Sequence, residues 1–131
     1  MTSNQRAQEL ENRLVHFAVR IVRVADSLPK SYSGQHFARQ IVRSGSSPAL
    51  NYGEARGSES DKDFRHKVAI ALKELRETHI NLRIIGQSEL LSAIDLKDIV
   101  SENNQLISIF VATIRSLDRK SGNERSHNKN P

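Results

Sequence analysis

Apolar residues recur at helical spacing from the start of the chain. In the first 28 residues they follow one another at steps of three and four, which is the period of one helix face. They are Leu10, Leu14, Phe17, Ile21, Ala25 and Leu28. Pro29 then marks the end of the segment, because proline cannot continue a helix. The pattern predicts a first helix from Asn4 to Leu28.

The first helix carries a second apolar stripe, formed by Val15, Val19 and Val22 on nearly the opposite side. A helix that is apolar on two faces needs two packing partners. A stripe of this kind is too apolar to remain in water on a chain of this size. We therefore predict that the three valines lie in an interface between subunits of a homo-oligomer.

The next segment also keeps its apolar residues on one helical side. They are Phe37, Ile41, Pro48, Tyr52 and Ala55. The residues from Ser44 to Ala49 are small, and a proline inside a helix removes one backbone hydrogen bond. The sequence predicts a second helix that is bent or broken near Gly45 to Pro48, where small side chains allow a neighbouring helix to approach.

Two further helices follow. Ser60 is a favourable N-cap, and Asp61 and Asp63 suit the positive end of a helix dipole. The apolar face of helix three, which runs to about Ser88, contains Phe64, Val68, Ala71, Leu72, Leu75, His79 and Leu82. That of helix four contains Leu96, Ile99, Val100, Asn103, Leu106, Ile107, Phe110, Ile114 and Leu117.

These elements predict an all-α fold with one domain. No strand-like alternation of useful length and no internal repeat occur in the chain. Short connections force consecutive helices to run antiparallel, so residues 1–120 are expected to form an antiparallel up-and-down four-helix bundle. Residues 121–131 are polar and positively charged, and we predict a disordered basic tail there.

Composition restricts the cellular setting. The chain has 131 residues and no cysteine, so it has neither a disulfide framework nor a thiolate nucleophile or metal ligand. Its first residues lack the apolar segment of an export signal, and no run approaches the roughly 20 apolar residues of a membrane span. We expect a cytoplasmic protein that does not insert into membranes.

Motifs for catalysis and cofactor binding are weak. Bundle metal sites use Glu-x-x-His on two helices, and this pattern does not occur. Asp63 and His66 have similar spacing, but a solvated helix surface explains them better. Ser27 and Lys30 match a serine–lysine pattern by letters but lack its companion motifs. No phosphate-binding glycine loop occurs, so we expect no enzyme activity, no metal and no cofactor.

Charge gives the main functional indication. The 20 lysines and arginines outnumber the 15 acidic residues, which leaves a net charge of +5 and favours polyanionic partners. On helix one, Arg6, Arg13 and Arg20 recur every seven residues beside the apolar face, and Arg23 lies further round. These four arginines are the candidate nucleic-acid-binding residues. Helix three has adjacent basic and acidic stripes, which favours a solvated face with ion pairs; its basic residues are Lys62, Arg65, Lys73, Arg76 and Arg83.

Some polar residues are predicted to have structural roles. Asn103 interrupts the apolar face of helix four, where one buried amide can fix helix register. Asn51 and Glu54 on helix two are expected to pair with Arg43 or with a backbone group, because an unpaired buried polar group costs about 1 to 3 kcal/mol. His79, on the apolar face of helix three, is better explained as a core or interface residue than as a metal ligand.

A resemblance to a known family rests on two adjacent segments. They read RSGSSPALNYGEARGSES and KDFRHKVAIALKELRETHINLRIIGQSELL, and they resemble the four-helix-bundle proteins first noticed in intervening sequences of bacterial large-subunit (23S) ribosomal RNA genes. The matching motif residues are Ser46, Pro48, Asn51, Glu54 and Ala55 on helix two, with Ala71, Leu72, Glu74, Leu75, Glu77 and Thr78 on helix three. The resemblance extends from about Leu10 to Leu117.

The resemblance implies an antiparallel bundle that assembles as a ring, commonly a homopentamer, without established catalytic activity. Similar bundles are accessory subunits of diversity-generating retroelements, where basic rings bind nucleic acid and a reverse transcriptase. We therefore expect a non-catalytic, oligomeric scaffold that binds nucleic acid and is associated with RNA. The alternative is an accessory subunit that docks a partner protein without touching nucleic acid.

Overall fold

The computed structural model describes the backbone of residues 1–128 and the side chains of residues 1–122. Helices occupy most of it, and no strand occurs within this part. The helices are α1 (Ser3–Ser27), α2 (Tyr32–Arg56), α3 (Asp61–Gln87) and α4 (Ala93–Asn128). None of them, within the described residues, has the length and apolar character needed to cross a membrane. The predicted all-α fold is confirmed.

Side-chain caps fix where the helices begin. The hydroxyl of Ser60 accepts a hydrogen bond from the backbone N–H of Asp63 at 3.1 Å, so this predicted N-cap is present. At the start of α1 the structure adds a reciprocal capping box, which the sequence analysis did not identify. There the Thr2 hydroxyl accepts from the Gln5 N–H, and the Gln5 side chain accepts from the Thr2 N–H.

Contacts between consecutive helices show that neighbours run antiparallel. In each case a residue near the end of one helix meets a residue near the start of the other. The pairs are Arg56 with Gln8 across α1 and α2, Glu54 with Lys67 across α2 and α3, and Asp118 with Arg65 across α3 and α4. The short connections leave no other arrangement, so the four helices form an up-and-down bundle.

The predicted apolar faces meet in one core. Leu14, Phe17, Ile41, Leu75 and Leu106 are among its fully buried side chains, and every helix contributes to it. Each such side chain stabilises the fold by about 1.5 to 3 kcal/mol relative to exposure. Aromatic rings close one end of the core. The ring of Tyr52 packs edge-on against that of Phe110, with the ring centroids 5.8 Å apart, and against that of Phe64 at 6.4 Å.

Helix α2 is continuous through Pro48, so of the predicted bend or break the break does not occur, and the bend stays a prediction. Proline removes the N–H that would pair with the carbonyl of Ser44. The surrounding segment is nevertheless buried between α1 and α3: Gly45 lies against Ile21, and the hydroxyls of Ser44 and Thr78 are hydrogen-bonded at 2.9 Å. Tertiary packing on both sides holds this stretch helical despite the lost bond.

Replacing Gly45 with leucine is expected to lower the free energy of unfolding by about 1 to 3 kcal/mol, because the core at this point has no room. A Cβ atom at position 45 would lie 2.7 Å from Cγ2 of Ile21, which is fully buried. Thermal denaturation followed by circular dichroism measures the loss. Gly122→Leu is the control, since nothing lies within 4 Å of that position; equal melting temperatures for both variants would contradict the packing described here.

Helix α4 extends into the segment predicted to be a disordered tail. Its backbone is helical as far as Asn128, while residues 129–131 lie outside the described residues. Before that point, α4 is tied to the start of α3 by ion pairs from Asp118 to Arg65 and from Lys120 to Asp61. The division between bundle and tail at residue 120 stays a prediction.

Candidate nucleic-acid interface

The central arginine predicted to bind nucleic acid is engaged within the bundle. Arg13 donates from Nε to Oε2 of Glu102 at 2.9 Å and from Nη2 to Oε1 at 2.6 Å. Its Nη2 also donates to Oε1 of Gln105 at 2.9 Å. This bidentate arrangement joins α1 to α4, which have the sparsest contact of the four pairs of neighbouring helices.

The pair is electrostatically matched. The hydrogen bonds from Arg13 hold the pKa of the Glu102 carboxyl below its ordinary value, against the opposing effect of burial. The charges of Arg20 and His16 lower the Glu102 pKa further. The same contact raises the pKa of Arg13. Arg13 therefore has a structural function, whichever other partner its exposed edge meets.

Changing Glu102 to glutamine is expected to lower the free energy of unfolding by about 0.5 to 1 kcal/mol at pH 7, because Arg13 is only partly shielded from solvent. The carboxyl has an ordinary pKa of 4.5 that folding lowers, so the pair stabilises the protein above pH 4.5. That contribution disappears as the pH falls through the lowered pKa.

Urea denaturation of both proteins at pH 7 and near pH 3 measures this difference. The gap between wild type and Glu102→Gln should shrink at the lower pH. Glu9→Gln is the control, because Glu9 is an exposed residue of α1, the helix of Arg13, and makes no ion pair with a described residue. A gap of equal size at both pH values would mean that the lost contact is not electrostatic.

The other candidate arginines differ in their surroundings. Arg6 donates weakly to the Met1 carbonyl at 3.4 Å. Arg20 is partly buried and lies close enough to Glu102 to affect its pKa, so it also faces α4. Arg23 is exposed. Their assignment to a nucleic-acid surface stays a prediction.

A cleft of about 1080 Å³ opens at one end of the bundle, beside Arg6 and Arg13. Its lining includes the apolar side chains of Leu10, Tyr52 and Phe64. Burial raises the pKa of Tyr52. Acidic and basic residues both line the rim, so this cleft does not present one sign of charge to a polyanion.

The polar motif residues of α3 contact α2 at the seam between the two helices. Arg43 donates to Oε2 of Glu74 at 3.0 Å and also pairs with Glu77. Burial raises the pKa of Glu74, whereas the hydrogen bond from Arg43 lowers that of Glu77. Next to them the Thr78 hydroxyl meets Ser44. This cluster joins two helices and accounts for Glu74, Glu77 and Thr78 among the motif residues of helix three.

The polar motif residues of α2 have other partners. Asn51 donates to the carbonyl of Ser47 at 3.0 Å, which is the backbone contact that the sequence analysis allowed. Glu54 pairs with Lys67 at 2.6 Å and not with Arg43, because it lies one turn from the end of α2, level with the start of α3. The hydroxyl of Ser46 donates to a carbonyl of its own helix.

Asn103 is fully buried between α3 and α4. Its amide Nδ2 donates to the carbonyl of Leu75 at 3.1 Å, which fixes the level of one helix against the other. Its Oδ1 has no hydrogen-bond partner among the described residues, nor has Nδ1 of His79. Asn103 is thus placed to set helix register, as the sequence suggested.

Basic residues that the sequence analysis did not select lie on the outer edge between α3 and α4. We call them the α3–α4 strip, which consists of Arg65, Arg76, Arg83, Lys97 and Arg115, all of them exposed. Lys97 and Arg115 stand apart from other basic residues in the sequence, so local charge density does not single them out. Position in the bundle, and not local charge density, brings them beside the arginines of α3.

The valines predicted to lie between subunits are exposed in the single chain, with Val15 at 50 %. Val42 and Leu50 of α2 are also exposed. Gly45 lies against Ile21, and Gly53 lies near Glu11, so the antiparallel register places Val42 level with Val22 and Leu50 level with Val15. We call this surface the α1–α2 patch, which consists of Val15, Val19, Val22, Val42 and Leu50.

Among the described residues, no group of three or more histidine or carboxylate side chains is arranged to hold a metal ion. Asp63 and His66 are both exposed near the start of α3. Neither the cleft nor the charged seams therefore assemble a metal-ligand set from this part of the chain.

Comparison with known proteins gives a consistent relationship. The family model of the 23S rRNA-intervening sequence protein matches residues 6–112. A crystal structure of a protein with unknown function from the S23 ribosomal protein family of Bacteroides thetaiotaomicron VPI-5482 superposes with a TM-score of 0.75 and 30 % sequence identity. The alignment covers 79 % of this chain and 96 % of that chain. No curated protein matches significantly.

Proposed function

Because this chain belongs to the family of 23S rRNA-intervening sequence proteins, we propose that it is a non-catalytic, oligomeric scaffold that binds nucleic acid. The family match over residues 6–112 spans α1, α2, α3 and much of α4. The proposal therefore concerns the whole bundle and not one motif.

The observation that carries the nucleic-acid part is the distribution of charge. The net charge is +5, and exposed basic side chains gather on the α3–α4 strip. A strip of exposed cations attracts a polyanion at long range and brings its phosphates into contact. Because Arg13 is paired with Glu102, α1 offers fewer unpaired cations, and the rest of the basic surface is the better candidate for binding nucleic acid.

The α1–α2 patch supports an oligomer. Contiguous exposed apolar side chains on a small chain commonly mark an interface. A ring of five is the assembly that the family resemblance suggests. Repeating a weak basic surface in every subunit would raise the overall affinity for a long polyanion without any new contact.

The perturbed acidic groups support a structural assignment over a catalytic one. Glu74, Glu77, Glu102 and Asp118 have displaced pKa values, and each is held in an ion pair between two helices. Structural ion pairs displace pKa values as active sites do. These four carboxylates are accounted for by bundle assembly.

Fluorescence anisotropy with labelled RNA and DNA tests the proposal. Binding should be clear at about 50 mM salt and should weaken steeply as salt rises, because phosphate contacts release condensed counterions. Lack of binding to RNA and DNA at low salt would overturn it.

A partner protein is the second candidate. The cleft beside Arg6 favours this reading, because it combines apolar side chains with a rim of both charges, as protein interfaces do. A pull-down with the tagged protein, with and without nuclease, separates the two functions. Partners retained after nuclease treatment favour protein docking, whereas partners lost with the nucleic acid favour the first proposal.

A further inference from the structure

We propose that the α3–α4 strip binds the phosphate backbone of a nucleic-acid double helix without reading its sequence. This inference rests on the proposed function, to which it adds the surface and the form of the ligand. It departs from the sequence analysis, which placed the candidate residues on α1 and treated the charges of helix three as a solvated, ion-paired face.

The arginines of α3 form a line. Arg76 lies eleven residues beyond Arg65, and Arg83 lies eighteen beyond it. Both spacings are close to whole numbers of turns at 3.6 residues per turn, so the three side chains project from one side of the helix. The ion pair between Arg65 and Asp118 places that side at the edge next to α4.

The basic residues of α4 face the same edge. Lys97 and Arg115 are eighteen residues apart, which is five turns, and Asp118 lies beside Arg115 on the surface that meets Arg65. The bond from Asn103 to Leu75 fixes the level of the two helices. With that register, Lys97 lies level with Arg83.

The same register places Arg115 near Arg65 and Asn104 near Arg76, so the two rows form one strip. At about 1.5 Å per residue, the eighteen residues from Arg65 to Arg83 span about 27 Å. A duplex rises about 3.4 Å along its axis per base pair, so the strip is as long as about eight base pairs.

The charges of the strip are largely available. Arg76, Arg83, Lys97 and Arg115 make no ion pair with any carboxylate of the described residues. Two acids lie at this edge: Arg65 neutralises Asp118 through two hydrogen bonds of 2.6 and 3.1 Å, and Asp61 pairs with Lys120 at 2.8 Å. On α1, by contrast, Arg13 is already neutralised by Glu102.

The lack of aromatic groups indicates a duplex. Single strands are held by stacking their bases on exposed aromatic rings. The phenylalanines and Tyr52 are buried or partly buried, and Tyr32, which is 90 % exposed, lies at the start of α2 and not on the strip. A surface with cations and no stacking platform suits a paired backbone whose bases face inward.

The α4 side of the strip has short, mostly polar side chains. A shallow groove of about 390 Å³ is lined by Lys97, Ser101, Asn104 and Ser108, among others. Serine and asparagine side chains donate hydrogen bonds to phosphate and sugar oxygens without reading the bases. Their small size allows a duplex backbone to approach the neighbouring cations.

A charge-neutralising variant tests the strip. Arg76, Arg83 and Lys97 are changed together to glutamine, and the control changes Arg20, Arg23 and Arg39 to glutamine, which removes the same charge from α1 and α2 and leaves Arg13 in place. The probes are 20-base-pair RNA and DNA duplexes of mixed sequence and one single strand of the same length. Anisotropy is measured over a series of salt concentrations.

For the strip variant, we expect duplex affinity to fall at least 30-fold at low salt and the salt slope to decrease by about 3, since each lost phosphate contact removes about 0.9 from it. The control should lose less than about threefold. Arg83→Gln alone should reduce the slope by about 1, which gives a readout if the triple variant folds poorly.

Several outcomes decide the inference. If the strip variant binds duplexes as tightly as the wild type and the control variant does not, the strip is not the binding surface, while the proposed function is left intact. Tighter binding of the single strand than of either duplex would overturn the duplex assignment. An absence of binding to all three probes at low salt would overturn the proposed function and the strip together.

Discussion

Replacing Gly34 with alanine is expected to destabilise the protein by more than about 2 kcal/mol, although alanine favours helices. A Cβ atom at this position would lie 1.9 Å from the carbonyl oxygen of Pro29 and 2.8 Å from its carbonyl carbon. Both are backbone atoms, so the clash cannot be relieved by a side-chain rotation, and the turn between α1 and α2 must shift. The melting temperature should fall by roughly 10 °C.

The same substitution at Gly53 provides the matched control. Gly53 lies further along α2, and a Cβ there meets only Oε1 of Glu11 at an ordinary 3.7 Å. Gly53→Ala should therefore raise stability by about 0.5 to 1 kcal/mol through helix propensity alone. If both variants shift the melting temperature in the same direction, the result would contradict the close approach of Pro29 to Gly34 described here.

Charging the α1–α2 patch is expected to abolish assembly. Changing Val15 and Val19 to glutamate would place two carboxylates from each subunit in a predicted apolar interface, where an unpaired charge costs several kcal/mol. Since each 1.4 kcal/mol is a factor of ten, the subunit dissociation constant should rise at least 100-fold. Native mass spectrometry at micromolar concentration should change from an oligomer to a monomer.

The matched control for assembly is the same double change at Ile80 and Ile84, which are exposed on the outer side of α3. That variant should keep the wild-type mass. Circular dichroism should show intact helices in both variants, because all four positions are exposed in the single chain. A stable wild-type monomer would remove the interface prediction, and dissociation of the Ile80 and Ile84 variant alone would move the interface to α3.

Local patterns predicted the elements of the bundle well because helix periodicity and end signals are properties of short segments. The predicted first helix, Asn4 to Leu28, differs by one residue at each end from α1, and the Ser60 cap is where it was expected. Of the two alternatives predicted for α2 near Pro48, a bend or a break, the break is excluded because the helix is continuous. Proline weakens a helix locally, but burial of Ser44 and Gly45 between two neighbours outweighs that cost.

The site was less predictable because its contacts join distant parts of the chain. Arg13 and Glu102 are 89 residues apart, so the seven-residue spacing on α1 gave no sign that the central arginine would be neutralised. The strip depends likewise on the level of α4 relative to α3, which Asn103 fixes through a single carbonyl. Charge counted along one helix cannot show which cations a neighbouring helix leaves unpaired.

The sparse contact between α1 and α4 has a kinetic consequence. Nearly all packing joins helices that follow one another along the chain, and the seam between the first and last helix depends on few contacts, among them the bridge from Arg13 to Glu102. Chains dominated by such sequence-local contacts fold in microseconds to milliseconds, because little loop-closure entropy is lost before native contacts form. Each subunit would thus be complete long before it collides with another, and the slow step in building an oligomer would be encounter between folded chains.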